Sequence, residues 1–375
     1  MITVTDDELA CAAALAALPA MGPARLAALL RRWPPTEAWD AVRHGRAVSD
    51  DEVRGTFRRR SEFVEVPRAW RLAAEAGNPR DGLRSYRAAD VQVLLLGSAE
   101  YPRRLADDHE APAVLFAKGS LAAIDGPRVG IVGTRRCTHT GREIARDLGH
   151  DLAAAGVRVV SGLAAGIDGA AHGGALAAQA APPVGVVGSG FDVVYPARHA
   201  VLWKAVAEHG LLLSEAPLGA RPEPWRFPAR NRIIAALSDV VVVVESHARG
   251  GSRYTVDAAM ERGRTVMAVP GSVRTSAATF TNELIAECCP PARDATDVLV
   301  ALGLATPGDR TTSAERRPPP SEADRAVLDQ IGGDPASLEQ LAASTGLDPV
   351  QVSVAVAHLE AGGWISGDAG QWRRL

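Results

Sequence analysis

The stretch VGIVGTRRCTHTG, residues 129–141, decides how the rest of the chain is read. An apolar run of strand character ends at Gly133 and a helix begins a few residues later, which is how a nucleotide-binding α/β fold opens. A dinucleotide site wants glycine at position 135, where backbone must approach a pyrophosphate, yet Arg135 stands there and Arg136 follows it. The tight turn is kept while the surface of close approach is replaced by charge.

Outward from that stretch, the same apolar signature recurs in VQVLLLG, VRVVSG, PVGVVGSG, GLLLSE, VVVVVES and RTVMAVPG, separated by helical segments. Runs that are apolar at every position predict strands covered on both faces, hence a doubly wound parallel sheet with crossover helices. Ligands of such a sheet are expected at the carboxyl ends of its strands, where Gly133, Gly162, Gly188, Glu215, Glu245 and Gly271 fall. Before it, residues 1–82 read as an Ala/Leu-rich helical domain of SAM or helix-hairpin-helix type, in which Leu18–Pro23 forms a turn between two helices through Gly22. Such a hairpin either offers amides to a DNA phosphate or is simply a packing module. The α/β domain covers 83–303. The Pro/Ser/Thr-rich stretch 304–321 reads as a flexible linker, and 322–375 as three short helices with a two-stranded wing, a winged helix.

Composition narrows the function. Hydrophobic content of 47% and charged content of 23% are those of an ordinary globular protein. No apolar run reaches the roughly 20 residues of a membrane helix and the start carries acids where a signal peptide carries bases, so a cytoplasmic protein without a membrane span is expected. Four scattered cysteines and nine scattered histidines give neither zinc spacing nor a disulfide framework, so no metal and no cofactor is expected. The net charge of −3 means that any hold on a polyanion must come from a local patch.

Four elements at the strand ends supply such a patch. In the first, Gly133, Thr134, Arg135, Arg136 and Thr138 offer guanidinium forks and hydroxyls to phosphate oxygens, the competing reading being an ion pair of Arg135 with Glu245. The second, SGLAAGIDGAAH, contributes Ser161 and Gly162; Asp168 there is read as a helix cap facing His172, or as half of a general-base pair. The third, WRFPARNR, sets Pro228 early in a helix and Arg230, Asn231 and Arg232 in its first turn, against the helix dipole, so an external anion is wanted. Trp225 and Phe227 just before them either stack on bases or staple the helix. The fourth, ESHARGGSRYT, makes a glycine nest from Gly251, Ser252, Arg253 and Thr255.

With YPRRL, VGTRRCT, SGLAAGIDGAAH, VGSGFDVVYPARH, SEAPLG, RFPARNRIIAALSD, ESHARGGSRYT and MAVPGSV–TNELI in this order, the sequence resembles the DNA-processing protein A (DprA/Smf) family. The resemblance implies an extended Rossmann domain that binds single-stranded DNA without sequence specificity, loads the RecA recombinase during natural transformation and recombination, and pairs as a homodimer; it implies no enzyme. It makes Arg135, Arg230, Asn231 and Arg232 phosphate contacts. Phe280 and Cys288 depart from the family's G-x-N-x-L-I-x-x-G-A pattern at its glycines and Cys289 at its final alanine, which bears on local loop geometry. The winged helix carries eight acids against three bases from 321 to 375, a net of −5, which predicts a protein-interaction or regulatory role for it. The alternative from another class is a nucleotide-hydrolysing Rossmann enzyme of the LOG phosphoribohydrolase type, with Glu215, Glu245 and Asp168 as its acids.

Overall fold

The structure is a computed structural model that describes residues 4–306, 319–332, 335–368 and 370–374. The chain divides into two compact units, Met1–Asp309 and Arg310–Leu375. The strands of the first are β1 Gln92–Leu95, β2 Val114–Gly119, β3 Arg128–Val132, β4 Arg158–Ser161, β5 Val184–Val187, β6 Leu211–Ser214, β7 Val240–Val243 and β8 Thr265–Ala268. They form one sheet in the order β1-β2-β6-β5-β4-β3-β7-β8. From β6 to β8 all neighbours are parallel, and every residue of β5, β6 and β7 is buried, as their uninterrupted apolar sequences require.

One edge departs from the parallel expectation. The run at β1 pairs antiparallel with β2, and β2 pairs antiparallel with β6. Continuous apolarity reports that both faces are covered and says nothing of direction. Strand β2 has no counterpart among the predicted runs because Ala117 and Lys118 are poor strand formers. On the other side, the strand order reverses at β3, which lies between β4 and β7. The crevice outside the ends of β3 and β7 is therefore the topological switch point where ligands of such sheets bind.

The N-terminal helices do not close on themselves. Their core residues Leu15, Leu29, Trp39 and Trp70 continue into Val93, Val114 and Phe116 of the sheet edge. In the Leu18–Pro23 hairpin Gly22 is the N-cap and Pro23 the first helical residue of Pro23–Arg32, but the left-handed residue is Ala20, at φ 53°, while Gly22 is extended at φ −104°.

The motif YPRRL acts on the helix Arg226–Leu237 from behind. Tyr101 donates to the Pro112 carbonyl at 2.7 Å, and Arg104 donates to the carbonyls of Ala236 and Ser238 while Arg128 takes that of Leu237. Two guanidinium groups thus satisfy the last carbonyls of that helix and complement its dipole, fixing its far end so that its start faces the rim.

In the second unit the helices Glu322–Leu328, Leu338–Thr345 and Pro349–Ala361 pack around Val327, Leu341, Val352, Val356 and Ile365. Strands β9 Ala336–Ser337, β10 Ile365–Asp368 and β11 Gln371–Arg374 complete a winged helix, with β10 and β11 as the wing and β9 against β11. Of the expected linker, residues 307–318 lie outside the described residues. Among the described residues no helix is long and apolar enough to cross a membrane, and no group of three or more His, Cys, Asp or Glu could hold a metal.

Candidate nucleic-acid interface

At the end of β3 the chain must turn against its own neighbours. A Cβ on Gly133 would fall 2.6 Å from Ile167 and 2.7 Å from the Glu245 carbonyl, so only glycine fits. The next amide, Thr134, donates to that carbonyl at 2.7 Å. The Glu245 carboxylate then reaches the start of helix His139–Ala154, accepting from the Thr138 amide at 2.8 Å and from the Thr138 hydroxyl at 2.6 Å. Gly141 makes the room, since a Cβ there would lie 2.2 Å from the carboxyl carbon. The place where a dinucleotide fold holds its pyrophosphate is thus filled by the protein's own anion. Thr138, expected to meet a phosphate, is instead committed to Glu245 and to capping Gly141.

With Glu245 so engaged, the two arginines are left outside. Arg135 and Arg136 are exposed, and among the described residues neither guanidinium has a carboxylate partner. Arg135 lies over the ring of Phe227 at 4.5 Å and within 5.9 Å of that of Tyr195, and the two rings are 5.6 Å apart. Phe227 is therefore a platform for a cation, a use open to an aromatic face in water. Tyr195 was not anticipated; it arrives on the loop after β5, and its only sequence signal is an aromatic beside Pro196.

The helix Arg226–Leu237 starts two residues earlier than the proline predicted. Pro228 tolerates this because the third helical residue still lacks an intrahelical acceptor for its N–H. Arg230, Asn231 and Arg232 consequently lie past the first unpaired amides, and the helix-dipole argument for them lapses. Arg230 is 6% exposed and donates to the Val186 carbonyl; its guanidinium rests on Gly162, where a Cβ would lie 1.7 Å away. Burial pushes its pKa down to about 10, Asp168 opposing and Arg135 adding to that fall. Arg232 is paired with Glu215 at 2.6 Å and donates to the Glu110 carbonyl at 2.8 Å. It is thus neutralised, and burial raises the Glu215 carboxyl against the pull of Arg232. Asn231 lies at the rim, donating to the Gly251 carbonyl at 3.3 Å.

The second element is also internal. Ser161 is buried and donates to the Ile131 carbonyl at 2.6 Å. Asp168 does not cap: the N-cap of helix Ile167–Ala177 is Gly166, and the carboxylate folds back to accept from the Gly162 amide at 3.2 Å. Desolvation raises its pKa against Arg230, His172 and two amides. His172 meets the Asp168 main-chain carbonyl at 3.0 Å, not its carboxylate. No general-base pair is assembled.

The fourth element stays open. Ser252 is tied to Ser246, hydroxyl to hydroxyl, at 2.7 Å, and Thr255 is buried beneath. The amides of Gly251 and Ser252 have no acceptor among the described residues, and a Cβ on Gly251 would meet nothing within 4 Å. Arg253 turns away, over Phe280 at 4.1 Å and toward Glu283 at 3.2 Å. Phe280 itself is an ordinary buried helical residue in Thr279–Ala286, whereas Cys288 takes the left-handed φ of 70° that glycine favours.

Together these residues enclose a cleft of about 320 Å³ lined by Gly133, Thr134, Arg135, Arg136, Phe227, Arg230, Asn231, Gly251, Ser252 and Thr255, with Asp168 and Tyr254. Thr138, Ser161, Gly162, Arg232 and Arg253 do not line it.

Comparison with known proteins places the chain in a family. Residues 92–303 match the family model of DNA recombination-mediator protein A, and 311–371 that of the DprA winged helix domain. The putative DNA processing protein DprA of Mycobacterium tuberculosis H37Rv is 37% identical over 94% of this chain and 90% of its own length. Protein Smf of Escherichia coli K12 is 33% identical over 73% of this chain and 75% of its own. The X-ray structure of DNA processing protein A from Streptococcus pneumoniae superposes with a TM-score of 0.63 at 29% identity, covering 80% of this chain and 98% of that one. The chain belongs to the DNA recombination-mediator protein A family, whose members are DNA-binding mediators and not enzymes.

Proposed function

We propose that this chain binds single-stranded DNA without regard to sequence and loads the RecA recombinase onto it, serving DNA uptake in transformation and homologous recombination. It would work in the cytoplasm as a homodimer formed through the α/β domain. One observation carries the reading: Arg135 and Arg136 stand at the switch-point cleft with no carboxylate against them among the described residues, Arg135 seated on Phe227, beside the open amides of Gly251 and Ser252. Fixed cations and free amides suit phosphates, and aromatic faces suit any base, which is the chemistry of binding without readout.

The phosphoribohydrolase alternative loses its acids. Glu215 is held by Arg232, Glu245 by Thr138, and Asp168 is buried against the Gly162 amide. The winged helix is assigned to protein contacts: its helix Pro349–Ala361 contains no Arg or Lys and exposes Val350 and Val354. The deciding experiment is a gel shift with a single strand and the matching duplex, on the full chain and on a chain ending at residue 305. The reading expects single-strand preference in both proteins. Equal binding of duplex, or loss of all binding with the winged helix, would refute it.

A further inference from the structure

Next to the rim cleft, a second groove of about 780 Å³ runs between the N-terminal hairpin, Ala16 to Arg25, and the loop Pro217 to Arg226. Its charged lining is four arginines, Arg25, Arg58, Arg221 and Arg226, against Glu62 and Glu223. Arg25 is engaged by Glu62 at 2.6 Å, and Arg226 stands 3.6 Å from Glu223. Arg58 and Arg221 are exposed, and among the described residues neither side chain has a carboxylate partner. The groove therefore keeps two uncommitted cations.

It also offers a ring. Trp225 is 42% exposed, its indole N–H donates to Glu223 at 2.7 Å, and the Arg226 guanidinium lies over it at 4.5 Å. The indole is held in place, and among the described residues no second ring stacks on it. Helix Pro23–Arg32 opens onto the same groove with no side-chain cap.

The groove and the cleft are lined by consecutive residues of one segment, Trp225 and Arg226 in the one and Phe227 in the other. Each holds a cation on a ring, Arg135 over Phe227 in the cleft and Arg226 over Trp225 in the groove, with Arg136 lining the one and Arg221 and Arg58 the other. A single strand, which alternates phosphates with stackable bases, matches that pairing of cations with rings. We propose that this groove is a second subsite for the strand that leaves the cleft, one base stacking on Trp225 while its phosphates pass Arg221 and Arg58 toward the start of helix Pro23–Arg32. The inference rests on the single-strand reading and extends its footprint onto the helical layer.

The test compares wild type with a groove variant, Trp225→Ala with Arg221→Ala, and a rim variant, Arg135→Ala with Arg136→Ala. Anisotropy is read on oligothymidylates of roughly 5 and roughly 20 nucleotides, within and beyond the reach of a single site. The groove variant should bind the long strand about tenfold more weakly, in line with loss of one stacked base, and the short strand like wild type. Trp225→Phe should recover most of the loss, and unchanged thermal melting shows that the fold persists. A groove variant equal to wild type on both strands overturns the inference while leaving the cleft intact as a site. So does a groove variant that loses affinity for polyglutamate but not for the long strand, which would assign the groove to an acidic protein. A rim variant unchanged on both strands is a different pattern and defeats the single-strand reading itself.

Discussion

Two helices begin at the same rim, one after β3 and one after β7, and they are treated in opposite ways. His139–Ala154 starts on a closed site: Glu245 takes the amide and the hydroxyl of its N-cap Thr138, and Gly141 leaves room for the carboxylate. Arg253–Glu261 starts on an open one: the amides of Gly251 and Ser252 face the cleft, and Gly251 has nothing within 4 Å of its missing side chain. The lesson is that the phosphate cradle of a dinucleotide fold can be switched off by one internal acid. Once it is, the arginines of the preceding loop have no carboxylate partner among the described residues and are available, on the proposed reading, to a polymer lying along the outside. Two of the expected DNA-binding arginines fall on the closed side. Arg230 and Arg232 hold the rim together, and Arg135 and Arg136 face outward from it.

That division can be broken by substitution. Arg232→Ala leaves the mostly covered Glu215 carboxylate unpaired, and should cost up to about 3 kcal/mol in denaturant unfolding; a variant of near wild-type stability that lost only DNA affinity would move Arg232 to the open side. Glu245→Gln replaces one of the two carboxylate oxygens that Thr138 uses with an amide donor, so about 1–3 kcal/mol of stability should go. An unchanged unfolding midpoint would mean that the acid does not hold the closed start. Gly251→Ala sharpens the contrast from the other half: nothing in the protein opposes the methyl group, so melting should stay put, while single-strand affinity falls by about 1 kcal/mol as the strand loses its close approach to the backbone. Smallest is Cys288→Gly, away from the cleft, which should stabilise by about 1 kcal/mol by relieving the left-handed φ of 70° and leave DNA binding alone.

Most of the sheet was legible because burial on both faces leaves an apolar run that nothing else in the chain imitates. Strand β2 was hidden by Ala117 and Lys118, and the direction of β1 by the fact that pairing sense leaves no mark on composition. The candidate cleft was half legible. Arg135 broke a glycine pattern and Gly250–Gly251 made one, and both signals are local. The burial of Arg230 and the pairing of Arg232 were not, since the partners are Val186, Glu215 and Glu110, brought near only by folding. Charge in a sequence shows that a guanidinium exists, and only the fold shows whether a carboxylate has already taken it.

The most direct measurement is the salt dependence of single-strand affinity for wild type and for Arg135→Ala with Arg136→Ala, on proteins of equal thermal stability. Each phosphate neutralised on a single strand contributes about 0.7 to the slope of log affinity against log salt, so the double variant should bind more weakly to every sequence with a slope shallower by about 1.4. An identical slope and affinity in the two proteins would contradict the claim that these two outward arginines hold the DNA backbone.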